Sequence, residues 1–130
     1  MSLKPGDILF DHRQHGASRA AIALFSRATE DPNPIHVDEA FAKECGFPQV
    51  LQQGPMTTAH FARLLGAAVG AARLKVLDVT FTAPVFPEEV LLLRASVEKV
   101  EGGDIHLALR AQKEDGTLTA TGSAVVAGEA

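Results

Sequence analysis

The sequence contains few or none of the residues on which several protein classes depend. Among its 130 residues there is 1 cysteine, and there is no tryptophan or tyrosine. A single cysteine excludes an intramolecular disulfide and is typical of a reducing compartment. The absence of tryptophan and tyrosine removes the usual stacking platforms for single-stranded nucleic acid. We interpret Cys45 as a structural residue and not a catalytic thiol, because its neighbours Glu44 and Gly46 offer no basic group to activate it.

Positive charge and long apolar stretches are also scarce. The 12 lysine and arginine residues are outnumbered by 16 aspartates and glutamates, which gives a net charge of −4 and argues against binding to a phosphate backbone. The longest stretch of low charge, 64–72, is too short and too rich in glycine to cross a bilayer, and the first residues include no apolar signal segment. No spacing of histidines or cysteines indicates a metal site. We therefore expect one soluble, cytoplasmic domain.

Alternating apolar residues dominate the second half of the sequence. A period of two is typical of strands with one covered face, and Asp115-Gly116 is a hairpin signal between two such segments. The pattern predicts an antiparallel meander with one face covered. Its four segments are 77–85, 91–97, 105–111 and 118–126.

The first half is predicted to be mainly helical. Ser18 is expected to cap a helix whose apolar face extends to Ala28, and a second, short helix fits 38–45. Residues 8–10 can add an edge or first strand.

A third, longer helix is predicted to begin at Pro55, a favoured first helical residue, and to end near Gly70. Its only charged residue is Arg63. Because small and apolar residues occupy almost every side, we expect this helix to be buried nearly all round, with the sheet wrapped around it.

The segment Asp31-Pro-Asn-Pro-Ile-His36 brings a carboxylate and an imidazole close together in the sequence. Pro32 and Pro34 fix their own φ angles and keep the residues before them out of a regular helix. The segment therefore predicts a loop of fixed geometry, which a general acid–base pair requires. An Asx turn that starts a helix, with no catalytic role, is the alternative interpretation.

In its context this segment resembles the signature of the MaoC-like dehydratases, a family with a hot-dog fold that includes the (R)-specific enoyl-CoA hydratases. The resemblance extends over Phe25-Ser-Arg-Ala-Thr-Glu-Asp-Pro-Asn-Pro-Ile-His-Val-Asp-Glu-Ala-Phe-Ala42. Val50-Leu-Gln-Gln-Gly-Pro-Met56 is similar to the His-Gly-Met start of the family's central helix. Phe81-Thr-Ala-Pro-Val-Phe-Pro-Glu-Glu-Val-Leu91 is similar to the family's strand crossover. All three motifs occur in the family's order.

The sequence also departs from the family pattern. Glycine before the catalytic aspartate is replaced by Glu30, and histidine before the helix glycine by Gln53. Pro55 lies before Met56, and Glu88-Glu89 stands for Gly-Asp in the crossover. We expect these departures to affect the shape of the pocket and the substrate that it accepts.

The resemblance implies a single α+β hot-dog domain over residues 1–130, with an antiparallel sheet wrapped around a long central helix. It implies a hydro-lyase of fatty acid metabolism that hydrates a trans-2-enoyl thioester or catalyses the reverse dehydration. Such an enzyme would act as a homodimer on a CoA or acyl-carrier-protein thioester, with no cofactor and no metal.

The resemblance also implies site residues. Asp31 and His36 would be catalytic and hold the attacking water. Gly54 lies at a predicted helix N-terminus and would supply an oxyanion donor, with a simple turn glycine as the alternative. Asn33 would contact the substrate or, as we favour, shape the loop.

Two other functions fit the same fold class. A hot-dog thioesterase would attack the thioester carbonyl, but such enzymes commonly carry a carboxylate on the central helix, and 55–70 contains none. A non-catalytic acyl-CoA-binding protein is the second alternative, and the departures from the family pattern motivate it. If Gln53 faces the pocket, its amide favours short or polar acyl groups.

The remaining histidines are weaker candidates for the site. His12 and His15 are expected at a polar surface turn, and His106 on the polar face of a strand. For His60, on the long helix, we favour a core position over the pocket wall.

Overall fold

Five antiparallel strands form the sheet of the computed structural model, which describes residues 2–128. Their order across the sheet is β1-β3-β4-β5-β2. The strands are β1 (Ile8–Gln14), β2 (Leu74–Phe81), β3 (Leu91–Glu101), β4 (Asp104–Lys113) and β5 (Leu118–Ala127). The predicted meander is confirmed for its last three strands, because β3 pairs with β4 and β4 with β5, each antiparallel. Its first strand, β2, does not lie beside β3 as the meander requires but pairs with β5 at the far edge of the sheet.

Three α-helices precede the meander. They are α1 (Arg19–Ala28), α2 (Glu39–Glu44) and α3 (Gly54–Val69), with 3₁₀ turns at Pro34–His36 and Ala71–Arg73. The predicted cap of α1 is confirmed, since Ser18 Oγ accepts a hydrogen bond from the amide of Ala21 at 3.0 Å. Among residues 2–128, no helix has the length and apolar character needed to span a membrane.

One face of α3 packs on the sheet. Thr57, Phe61 and Leu65 follow one another at intervals of four residues, and all three are buried. Phe61 and Leu65 join one hydrophobic cluster with Leu93 and Leu107 from the inner face of the sheet. Burial of each such large side chain contributes about 1.5–3 kcal/mol to stability. The cluster fixes α3 against the strands and so determines where the N-terminus of α3 lies.

The opposite face of α3 is exposed, so the prediction of burial nearly all round is wrong for the single chain. Ala59, Arg63 and Ala67 lie there, again four residues apart. The prediction rested on composition, and alanine and glycine are small enough to occupy either a buried or an exposed face. A single sheet covers only one side of a helix.

Two predicted strand boundaries are also wrong. β1 extends through Gln14 and does not end at residue 10, because pairing with β3 supplies hydrogen bonds to the backbone of polar residues as well. His12 therefore lies in a strand opposite Leu93 and not beside a turn. β2 ends at Phe81 and not at residue 85, since Pro84 has no N–H to donate to a ladder.

Glu30 and Glu88 adopt left-handed backbone conformations, with φ of 54° and 66°. Both replace a glycine of the family pattern, and glycine adopts this conformation without a steric penalty. The penalty for a residue with a Cβ is about 1–2 kcal/mol. Both departures in sequence therefore store strain in the backbone.

We expect Glu30→Gly and Glu88→Gly each to raise the free energy of unfolding by about 0.5–1 kcal/mol, because relief of this strain exceeds the entropy that glycine adds to the unfolded chain. Urea denaturation measures the change. Glu44→Gly, within α2, is the matched control and should lower stability by up to about 1 kcal/mol. Loss of stability in both loop variants would contradict the strain argument.

Candidate active site

The loop between α1 and α2 is held by hydrogen bonds among its own residues. The amide of Asp31 donates to the Ser26 carbonyl at 2.9 Å. Asp31 Oδ1 accepts from the amide of Asn33 at 3.0 Å, and Asn33 Oδ1 accepts from the amide of Ile35 at 3.1 Å. Pro34 then begins the 3₁₀ turn that ends at His36. The two prolines and the two side-chain turns give the loop the fixed geometry that the sequence predicts.

This loop brings the carboxylate of Asp31 and the imidazole of His36 together. The distance from His36 Nε2 to Asp31 Oδ2 is 3.5 Å. The other ring nitrogen, Nδ1, lies 2.8 Å from the carbonyl oxygen of Leu51. Since a carbonyl oxygen only accepts hydrogen bonds, Nδ1 carries the proton of the neutral ring. Nε2 is therefore the basic nitrogen, and it faces the carboxylate.

A cavity of about 380 Å³ lies beside the dyad. His36 lines one part of it, and Gly54, the first residue of α3, lines another. The amide of Gly54 makes no hydrogen bond to any acceptor in residues 2–128. An unpaired N–H at a helix N-terminus carries partial positive charge and binds developing negative charge. Phe81 and Thr119 close the cavity on the side of the sheet.

His36 and Gly54, 18 residues apart in the sequence, therefore line one cavity, and Asp31 lies beside His36 without lining that cavity itself. Asn33 does not line the cavity; it is exposed, and its side-chain oxygen is engaged within the loop. Its predicted contact with substrate stays a prediction. Sequence reasoning missed the Leu51 carbonyl that holds His36, because a backbone acceptor has no signal in residue type.

Gln53 is buried, with 1% of its surface exposed. Its Nε2 donates to the Ile22 carbonyl and to Ser26 Oγ, both at 2.7 Å and both on α1. The amide nitrogen thus binds α1, while Gln53 is also one of the residues that line the cavity. The preference for short or polar acyl groups stays a prediction. Gln53 Oε1 has no hydrogen-bond partner within residues 2–128. A buried unpaired oxygen of this kind costs about 1–3 kcal/mol.

The other histidines and the cysteine lie away from this cavity. His60 lines a separate groove between α1 and α3, so our preferred core position is only partly correct. Burial lowers its pKa first, and the positive charges of Arg63, His15 and His12 lower it further. Cys45 is exposed just beyond α2. Within the part of the chain that the structure describes, no three histidine, cysteine or acidic side chains are grouped to hold a metal ion.

Comparison with known proteins shows which family the chain belongs to. A family model described as "MaoC like domain" matches residues 7–117. The chain belongs to this family. The resemblance seen in the three sequence motifs is thereby confirmed.

Individual relatives of this MaoC-like chain are hydratases and dehydratases. It is 30% identical to the (R)-specific enoyl-CoA hydratase of Aeromonas caviae over 111 residues, which cover 82% of this chain and 83% of that protein. It is 38% identical over 85 residues to 3-hydroxyacyl-thioester dehydratase Y of Mycobacterium tuberculosis, covering 62% of this chain. The solved structure of the (R)-hydratase from A. caviae, described as involved in PHA biosynthesis, matches 99% of both chains with a TM-score of 0.85 and 27% identity. The predicted hot-dog fold is therefore confirmed.

Some relatives are much longer than this MaoC-like chain. The matched region is 29% of dehydratase Y and 5% of the fatty acid synthase beta subunit TOXC of Cochliobolus carbonum. The same domain thus occurs both in a short hydratase and as a small part of large synthases.

Proposed function

We propose that this protein hydrates trans-2-enoyl thioesters to (3R)-hydroxyacyl thioesters, or catalyses the reverse dehydration, with Asp31 and His36 as the catalytic dyad. The observation that carries the proposal is that His36 and Gly54 line one cavity while Asp31 lies next to His36. A basic imidazole nitrogen faces a carboxylate at 3.5 Å, and an unpaired helix N-terminal amide lines the same space. The thioester is linked to CoA or to an acyl carrier protein, as the names of the relatives suggest.

His36 acts as the base in this scheme. Its Nδ1–H is held by the Leu51 carbonyl, so Nε2 is free to take a proton from water as the water oxygen bonds to C3. The resulting imidazolium is stabilised by the Asp31 carboxylate. Asp31 also accepts a hydrogen bond from the water and orients it. The side chain of His36 is only 12% exposed, which keeps bulk water from competing with these interactions.

Gly54 stabilises the negative charge that this attack produces. As the C3–O bond forms, the C2=C3 electrons move towards C2 and the thioester oxygen, where negative charge develops. The Gly54 amide donates a hydrogen bond to that oxygen. The proton held by the dyad is then delivered to C2, so that water has been added across the double bond. Each step is a proton transfer or a charge stabilisation that side chains and one amide supply, and the scheme includes no cofactor or metal.

The direct test is hydration of crotonyl-CoA by the purified protein. We expect loss of the conjugated enoyl thioester absorbance and a product with the (3R) configuration, established by chiral chromatography. Release of free thiol without hydration would identify a thioesterase instead. Tight binding of enoyl-CoA in calorimetry, with no turnover of four- to twelve-carbon substrates, would identify a non-catalytic binding protein.

We further propose a homodimer formed through the open edge of β2. This edge strand carries Val76 and Phe81, both about half exposed although large and apolar, and Phe81 also lines the cavity. Sedimentation equilibrium should show a dimer at micromolar concentration, and Val76→Lys should weaken it. Ile8→Lys, on the opposite edge strand β1, is the matched control and should leave the dimer intact. A stable monomer at micromolar concentration would contradict the proposal.

A further inference from the structure

A single side chain connects the N-terminus of α3 to α1. Gln53 immediately precedes Gly54, and its Nε2 donates to two oxygens on α1, the Ile22 carbonyl and Ser26 Oγ, each at 2.7 Å. Gln53 and Ser26 are 1% and 8% exposed, so water does not compete for these hydrogen bonds. The side-chain amide of Gln53 thus connects the N-terminus of α3, where Gly54 lies, to α1, which leads into the Asp31–His36 loop.

The connection continues to the dyad through the same serine. The Ser26 carbonyl accepts the hydrogen bond of the Asp31 amide at 2.9 Å. The side chain of Gln53 therefore holds Ser26, and the Ser26 carbonyl holds the backbone of Asp31. The backbone of Gln53 continues directly to the Gly54 amide. On the other side of the dyad, the Leu51 carbonyl holds His36, and the Leu51 amide donates to the Ile35 carbonyl at 3.1 Å. Residues 51–54 thus contact His36 directly and are connected to Asp31 through Ser26.

The contribution of Gln53 to the stability of the fold does not explain why a glutamine lies at position 53. Its Oε1 is buried without a partner in residues 2–128, and an unpaired buried oxygen lowers stability. The Ile22 carbonyl lies within α1, where the helix itself supplies a donor. A methionine of similar length would fill the same space without an unpaired oxygen. The amide is therefore better explained by the geometry it imposes than by the stability it contributes.

We propose that Gln53 is a positioning residue, which acts through Ser26 to hold the Asp31 carboxylate at the correct distance from the Gly54 amide. This inference rests on the proposed function. Misplacement of a catalytic group by about 1 Å reduces rate on the order of 100-fold, whereas substrate binding by the rest of the cavity is unaffected. Loss of the Gln53 amide therefore lowers kcat and leaves KM nearly unchanged.

The test is a double-mutant cycle on hydration of crotonyl-CoA. Gln53→Met and Ser26→Ala should each lower kcat about 10- to 100-fold, with KM within about twofold of wild type. The double variant should lose no more than the larger single loss, because both changes break the same connection. Thermal midpoints should stay close to wild type, and Gln53→His, which keeps a donor of similar reach, should restore most of kcat.

Gln14→Met is the matched control. Gln14 is also buried, and it accepts a hydrogen bond from Arg63 at 2.7 Å, but it has no contact with the dyad. The kcat of the Gln14→Met variant should equal that of wild type. The proposal is overturned if Gln53→Met keeps wild-type kcat, if the two single losses multiply in the double variant, or if kcat falls only in proportion to folded protein.

Hydrogen exchange separates this inference from the proposed function. In Gln53→Met and in Ser26→Ala the Asp31 amide should exchange at least about 10-fold faster than in wild type, whereas core amides of β4 should not change. If wild type hydrates no enoyl thioester, the proposed function fails, and this exchange still decides whether Gln53 positions Asp31. Unchanged exchange at Asp31 would overturn the positioning role whatever the activity.

Discussion

Asp31→Asn is expected to lower kcat for hydration of crotonyl-CoA by about 1,000-fold or more, and His36→Asn by a similar factor. Both substitutions preserve the local hydrogen bonds. An asparagine oxygen at position 31 still accepts from the Asn33 amide, and an asparagine Nδ2 at position 36 still donates to the Leu51 carbonyl. What is lost is the negative charge in one case and the basic Nε2 in the other, and general acid–base groups contribute about 10²–10⁴-fold to rate.

Circular dichroism and thermal midpoints check that these variants fold. Asp11→Asn and His106→Ala are the matched controls: Asp11 pairs with Arg94 on the surface, His106 lies on β4 outside the cavity, and neither change should affect kcat. Activity within tenfold of wild type in both dyad variants would remove Asp31 and His36 from the mechanism.

Gly54→Ala is expected to lower kcat about 100-fold, with a smaller effect on stability. A Cβ at this position would lie 2.6 Å from the ring of Phe81. Because Gly54 and Phe81 both line the cavity, we expect the added methyl group also to hinder the approach of the thioester oxygen to the amide. Removal of one oxyanion donor costs about 10²–10³-fold in kcat, and displacement of the donor has a comparable effect. Steady-state kinetics should show the loss in kcat.

The double variant Gly54→Ala/Phe81→Ala separates the two causes. It removes the collision with the ring, so a loss that persists relative to Phe81→Ala alone reports on access to the amide. Gly66→Ala, in the same helix, is the matched control, because its added Cβ meets Ala71 at an ordinary 3.6 Å and alanine favours the helix. Full recovery of kcat in the double variant would show that the collision with the ring, and not blocked access to the amide, caused the loss in Gly54→Ala.

Local sequence patterns predicted the secondary structure of this chain correctly where each pattern has a single physical cause. β3, β4 and β5 were predicted because alternation of apolar residues reflects the two faces of a strand, which depends only on neighbours in sequence. The extension of β1 through Gln14 was missed, because its polar residues are strand residues only through pairing with β3. The exposed face of α3 was missed for a related reason. Composition shows that a face is apolar enough to be buried, and only the packed chain shows whether anything covers it.

Some features of the candidate site likewise follow from the sequence, and others depend on the tertiary structure. The sequence by itself determined which chemical groups are present and that the Asp31–His36 loop is rigid, because prolines and Asx turns act over a few residues. Only the tertiary structure decided which nitrogen of His36 is basic, since its partner is the backbone of Leu51, 15 residues away. It also decided that the side-chain amide nitrogen of Gln53 binds α1. Such partners are chosen by long-range packing, which brings together backbone and side-chain groups that no local pattern relates.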